Sequence, residues 1–308
     1  MSMTKRLKLS TSYTATLAAL LVLLAQARGW SEPTPSTTTT STSVAPTTTS
    51  TSTPSSSTTS TSLETTTTTV EQDVDPFDNP VFRDYLSSRN DLLTIGVYDV
   101  VSKRTYLYYP NVRERTASME KIDILADLLY IAQVEHRALT PTQEDLATSM
   151  IERSSNSAAN VLWKLVGGRN SVDAFNTMIG FTQTFPSWAW GTIETTALDQ
   201  LQLLKVIALP NATLTNASRY YEMNLMEHVA TYQRFGVGTG TPSSATVGLK
   251  NGWYPETDTG WQLNSTGFVF DMNRSYLITV MCTFNPDETY GIETLNAVAR
   301  FVWDYLRP

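Results

Sequence analysis

Apolar residues recur along this chain in two different periods, and the switch between them divides it. Residues 92–100 and 104–109 are β-branched and aromatic runs separated by Val101-Ser102-Lys103, which predicts a hairpin. Beyond it Met119, Ile122, Leu125, Leu128, Leu129 and Ala132 recur at three and four residues, the spacing of a helix with one wholly apolar face running through a core. Thr140-Pro141-Thr142-Gln143 supplies a capping hydroxyl, a proline at the first helical position and a glutamine at the box position, so a further helix is expected to about residue 153. Gly167-Gly168 closes a helix over 158–166, Gly180 closes one over 172–179, and Thr196 caps one running to 207, before Pro210. After residue 246 the period returns to two. Residues 246–253, 261–271 and 276–284 predict three antiparallel strands, with a tight turn at Asn273-Arg274. A last helix over 290–305 places Ile292, Leu295, Val298, Val302 and Leu306 on one side, suited to packing on a sheet. Strands at both ends with helices between them predict an α+β fold: one antiparallel sheet built from both termini, with a trimmed helical subdomain between.

The N-terminal third has no such period. Lys5, Arg6 and Lys8 precede an apolar run over 16–24 and the small-residue end Ala25-Gln26-Ala27, so residues 1–27 are expected to be an export signal. That run is shorter than the roughly 20 residues a spanning helix needs, so no stable membrane insertion is expected once the signal is cut. Residues 28–69 are dominated by Ser, Thr and Pro, too poor in apolar surface to offset the entropy of ordering a backbone, and are expected to form a disordered stalk. A passive spacer and a glycosylated passage through a wall layer both remain open for it. Residues 70–308 are then one folding domain of a secreted, extracytoplasmic protein, with cell-wall association as one alternative.

Composition narrows the function. A formal charge of −7 and the lack of any basic stripe argue against a nucleic-acid partner. The lone cysteine, Cys282, lies in a strand-like run, excludes an intramolecular disulfide and is expected to be a buried inert thiol. No cluster of metal ligands is apparent, and neither metal nor organic cofactor is expected.

What remains is a serine. Ser118-Met119-Glu120-Lys121, Ser154-Ser155-Asn156 and Lys250-Asn251-Gly252 follow one another along the domain. Each alone is weak, since Ser2-Met3-Thr4-Lys5 and Ser88-Arg89-Asn90 fit the same short patterns. A serine hydroxyl needs a base within hydrogen-bond reach. Neither His136 nor His228 lies near a Gly-x-Ser-x-Gly elbow, and none exists here. Lysine can serve if it sheds its proton. Starting from an ordinary pKa near 10.4, neutrality at pH 7 costs about 4.6 kcal/mol, and a shift of roughly 3 units by burial and a nearby cation removes most of that. Lys121 lies one helical turn after Ser118 and shares its face, and Lys250 is placed to supply the second positive charge.

These motifs and their flanks resemble the superfamily of penicillin-recognising serine enzymes, the class A β-lactamases and D-alanyl-D-alanine peptidases, over about residues 92–306. Ser154-Ser155-Asn156-Ser157-Ala158-Ala159-Asn160 is similar to the Ser-Asp-Asn-Thr-Ala-Ala-Asn run of the β-lactamases. The resemblance implies that Ser118 attacks a carbonyl, Lys121 takes its proton, and Ser154 passes a proton to the leaving nitrogen. Asn156 then holds Lys121 and the substrate amide, and Lys250, with Asn251 and Gly252, meets a substrate carboxylate. The backbone N–H groups of Ser118 and Trp253 form the oxyanion hole. The implied partner is a small β-lactam or a cell-wall peptide.

The chain also departs from that pattern. Asn251 stands where the family has a hydroxyl, and Thr266 where many β-lactamases have arginine. The Glu-x-x-Leu-Asn loop that activates the deacylating water in class A enzymes is missing, leaving Glu194 as the acidic candidate for that role or as a first-turn helix residue. The short interval from Ser118 to Ser154 implies a trimmed helical subdomain. Three readings therefore stand: a slow serine hydrolase on lactam or D-alanyl amides, a wall-associated or penicillin-binding protein without useful turnover, and an esterase on the same scaffold.

Overall fold

A computed structural model describes residues 75–89, 92–256, 260–272 and 274–306. The expected export signal at 1–27 and stalk at 28–69 lie outside the described residues, as does Asn273 of the expected turn.

Two strands from the N-terminal side, β1 (Leu92–Asp99) and β2 (Thr105–Tyr108), join three from the C-terminal side, β5 (Thr246–Glu256), β6 (Gly260–Phe270) and β7 (Ser275–Asn285), in the order β2-β1-β7-β6-β5. The sheet is thus built from both termini. Every pairing in it is antiparallel, as the sequence predicts. The reason lies in the connections. The chain leaves the sheet after β2, builds the helical layer, and returns as two successive hairpins beginning on the opposite edge.

The β7 run is apolar without alternation because both faces of the sheet are covered. Ile278, Val280 and Cys282 face a cluster with Leu295, Val298 and Val302 of the last helix, α8 (Glu288–Tyr305), and with Phe82 of a short helix, α1 (Pro80–Ser87), that the hydrophobic periodicity does not predict. Leu277 and Phe268 point to the other face, into the helical layer. Burial of each such side chain contributes about 1.5–3 kcal/mol.

That layer is formed by α2 (Glu120–Val134), α3 (Pro141–Glu152), α4 (Asn156–Val166), α5 (Arg169–Ile179), α6 (Ala197–Ala208) and α7 (Asn216–Glu227). Their ends follow the local chemistry. Thr140 and Gln143 close a reciprocal capping box, Ser155 caps α4 through Ala158 N, and Gly167 and Gly180 take left-handed φ of 108° and 95° at the C-caps. Helix α2 departs from expectation. Instead of one apolar face it is enclosed almost all round, and Glu120, Lys121, Asp123 and Asp127 are buried along with its leucines and isoleucines. A two-residue ladder, β3 (Glu114–Arg115) with β4 (Glu194–Thr195), seats the chain just before Ser118 against the segment leading into α6.

Candidate active site

Ser118 sits in a 3-10 turn, Ala117–Met119, that leads directly into α2. Three long-range contacts hold that turn. From β6, Asn264 Nδ2 donates to Arg115 O at 2.8 Å and Thr116 O at 3.1 Å. From β5, Gly252 lies so close that a Cβ there would fall 2.7 Å from both Ser118 N and Thr116 O, so no larger residue fits without parting strand from turn. From the segment before β4, Trp190 O accepts from Thr116 Oγ1 at 3.3 Å. Ala117 and Ser154 both adopt left-handed φ, 48° and 54°, which for non-glycine residues costs of order 1–3 kcal/mol each and is tolerated where surrounding structure dictates it.

The side chain of Lys121 gathers the first two motifs. Its Nζ lies 2.9 Å from Ser118 Oγ, 2.7 Å from Ser154 O, 3.0 Å from Ser154 Oγ and 2.8 Å from Asn156 Oδ1. The third motif arrives from β5: Lys250 Nζ donates to Ser154 Oγ at 3.0 Å, Gln233 Oε1 at 3.1 Å and Asn251 O at 2.9 Å. Ser154 Oγ therefore bridges the two amines. Both lysines are fully buried. Burial brings Lys121 down to about 7, and burial together with the charge of Lys121 holds Lys250 well below the ordinary lysine range. An amine at about 7 is neutral in a large fraction of molecules at neutral pH and is able to accept a proton from Ser118 Oγ at 2.9 Å.

Strand pleat sorts the remaining expected residues. Lys250 and Gly252 share the face toward Ser154 and Ser118, whereas Asn251 and Trp253 point to the other. Asn251 Nδ2 spends both hydrogens on Gln233 O at 2.7 Å and Phe235 O at 3.0 Å, and the Trp253 ring meets Phe235 edge-on at 5.5 Å. Asn251 is thus a brace for the 233–235 segment, and its side chain has no donor left for a substrate carboxylate. Lys250 is likewise engaged by three protein oxygens, so a carboxylate would have to displace one of them. Thr266 is buried and hydrogen-bonded to Thr279 at 2.7 Å.

Glu194 also differs from expectation. Helix α6 starts only at Ala197, behind its Thr196 cap, so Glu194 is an exposed strand residue paired with Arg115, and among the described residues no hydrogen bond joins it to Ser118 or Lys121. The neighbouring stretch from 174 to 193 contains no Asp or Glu. Its contribution to the site is Trp190, whose ring centroid lies 4.9 Å from Lys121 Nζ and whose Nε1 donates to Asn160 Oδ1 at 2.9 Å.

Gln233, Asn264 and Trp190 escape a reading by sequence motif. Each acts across a large sequence separation and belongs to none of the three motifs. Only Asn160 carries a signal, as the last residue of the run that follows Ser154.

A family model described as the beta-lactamase enzyme family matches residues 130–306, which include Ser154, Asn156 and Lys250 and begin just after Lys121. A search of curated protein sequences finds no match. Among solved structures, the TLA-1 extended-spectrum beta-lactamase is 18% identical with a TM-score of 0.66, over 73% of this chain and 96% of that one. A beta-lactamase from Chitinophaga pinensis is 17% identical with a TM-score of 0.65, over 73% and 97%. A class A representative from Bacteroides cellulosilyticus is 16% identical with a TM-score of 0.64, over 73% and 95%. At such identities the likeness to these structures is one of fold.

Proposed function

The chain belongs to the beta-lactamase enzyme family, and on that footing we propose that it is a serine acyl-transfer enzyme acting on β-lactam or D-alanyl-type amides, with Ser118 as nucleophile and Lys121 as general base. The observation that carries the reading is the 2.9 Å approach of Lys121 Nζ to Ser118 Oγ in a buried setting that lowers the lysine to about 7. Lys121 takes the Ser118 proton as Oγ bonds to the carbonyl carbon. The carbonyl π pair moves onto oxygen, held by the N–H groups of Ser118 and Trp253, each worth about 10²- to 10³-fold in rate. As that pair returns, the C–N bond breaks and the nitrogen takes the Ser154 hydroxyl proton. Lys121 restores that proton across the 3.0 Å contact, and an ester remains on Ser118. Lys250 orients Ser154, and the charge of Lys121 in turn disfavours charge on Lys250. The export signal and stalk expected from sequence would place this chemistry outside the cytoplasm, where cell-wall peptides and lactams are met.

The acid-free stretch over 174–193 favours a second version of the same reading, in which the ester forms readily and is released slowly. The test is the intact mass of the purified protein after incubation with penicillin, followed over hours, with Ser118→Ala in parallel. A Ser118-dependent adduct that decays supports a slow hydrolase, and one that persists supports a penicillin-binding protein. No adduct under any condition removes the β-lactam reading and leaves an esterase or a non-catalytic binding protein on this fold.

A further inference from the structure

We propose that Trp190 is the water-excluding wall of this site: its ring closes the Lys121 side of the cleft, so an ester on Ser118 is sheltered from hydrolysis and becomes short-lived when the ring is cut away. The lifetime claim rests on the acyl-transfer reading above, whereas the wall itself does not.

Lys121 is closed to solvent although its neighbours are not. Ser118 and Ser154 are half-buried, and Asn156 and Asn160 are exposed. Ser118, Ser154 and Asn156 engage the amine from the motif side, and the large apolar surface against it is the Trp190 ring at 4.9 Å. The ring is fixed from two directions. Its Nε1 donates to Asn160 Oδ1 at 2.9 Å, and its own carbonyl accepts from Thr116 Oγ1, two residues before the nucleophile. Gly191 continues this seating, since a Cβ there would stand 4.0 Å from Ala117 Cα.

Hydrolysing an ester on Ser118 requires a water that reaches the acyl carbon while a base takes one of its protons. Among the described residues no carboxylate is hydrogen-bonded to Ser118 or Lys121, so the neutral Lys121 amine is the base at hand. A water using that amine must come within about 3 Å of Nζ, and the side free of Ser118, Ser154 and Asn156 is where the indole stands. Removing water also keeps the amine poorly solvated, which favours its neutral form.

The test uses the whole protein with Trp190→Ala, Trp190→Phe and Asn160→Ala, and two readouts. In the first, the protein is treated with acetic anhydride at fixed pH and acetylation at Lys121 is mapped by peptide mass spectrometry, with buried Lys250 as internal reference. Opening the wall should raise labelling of Lys121 by about tenfold in Trp190→Ala and by less in the other two variants, while Lys250 stays protected. Unchanged labelling of Lys121, or an equal rise at Lys250 in all three variants, overturns the proposal.

In the second, the penicillin adduct is formed, excess penicillin is removed, and decay is timed. Trp190→Ala should lose the adduct about tenfold faster than the wild type, with Asn160→Ala between them. Equal decay rates together with weaker adduct formation would instead make the ring a platform for substrate and overturn the wall. Absence of any adduct on the wild type counts against the acyl-transfer reading, and the labelling still decides whether Trp190 is the wall.

Discussion

Two groups of buried ionisable side chains meet around helix α2 and have opposite fates. On the cleft side, Lys121 and, from β5, Lys250 are both fully buried, yet each finds at least three oxygens; Ser154 Oγ links the two amines, and Lys121 reaches Ser118 directly. Toward the helical core, Glu120, Asp123 and Asp127 lie under the layer with Glu222 of α7. Both Glu222 oxygens, Asp123 Oδ1 and Asp127 Oδ2 find no donor among the described residues. Asn176 Nδ2 donates to Asp123 Oδ2 at 2.7 Å, and the charge of Asp123 adds to burial in raising Glu120.

Burial pushes every one of these groups toward neutrality. It lowers the lysines, brings Asp123 up to about 7 and Asp127 up to about 6, and holds Glu120 and Glu222 well above the usual carboxylate range. A perturbed pKa therefore does not single out the candidate active site in this molecule. Connection to a nucleophile and access from a cleft do.

The contrast can be broken most completely at its reacting end. Ser118→Ala should abolish the penicillin adduct while leaving the unfolding midpoint close to that of the wild type, as intact mass and a thermal melt would record. Lys121→Met keeps the stem but removes the base, and the acylation rate should fall by about 10²- to 10⁴-fold. Gly252→Ala forces β5 off the Ser118 turn and should lose both adduct and stability, and a variant that acylates at the wild-type rate would show the close approach to be dispensable.

The pH dependence sharpens the comparison. In the acylation rate only the lysine side should register. The rate should climb as pH rises through about 7, where Lys121 loses its proton, and level off above. In stability the two groups pull in opposite directions. The carboxyls have folded pKa values raised above their unfolded ones, so their contribution is fully present below about pH 4 and is lost as pH rises through 6 and 7. The lysines have folded values lowered from 10.5, so the unfolded chain binds more protons between about 7 and 10.5, and stability rises with pH there. The sum of these contributions is a trough near neutral pH, which denaturant unfolding at pH 5, 7 and 9 would reveal.

The smallest effect isolates one acid. In Asp127→Asn the loss between pH 4 and 8 should shrink by on the order of 2–3 kcal/mol, the linkage of a carboxyl moved from 3.8 to about 6. An unchanged slope would mean that Asp127 is not buried as a neutral acid.

Much of this molecule is legible in its sequence. The strand runs at both ends, the capping box at Thr140, the glycine stops at 167 and 180, and the pairing of Ser118 with Lys121 all follow from rules acting within one or two turns of chain. The same locality explains the errors. Local pattern predicts one apolar face for α2 because it cannot see that a helix is enclosed from every side. It assigns Asn251 to the substrate because the motif is read as a line, whereas strand pleat turns alternate residues away from the cleft. It leaves Glu194 as a base or a helix residue, when pairing with Arg115 makes it an exposed strand position.

By itself the sequence determined most of the elements, their order and the proposed nucleophile with its base, since helix and strand periods and an i, i+3 pair are properties of nearby residues. Only the tertiary structure decided that Lys250, 96 residues from Ser154, shares its hydroxyl, that Gln233 and Asn264 brace the site, and that Trp190 stands over Lys121. Those contacts exist because folding brings distant chain together and withdraws it from water, and the same withdrawal lowers an ordinary lysine to about 7, where it is able to act as a base.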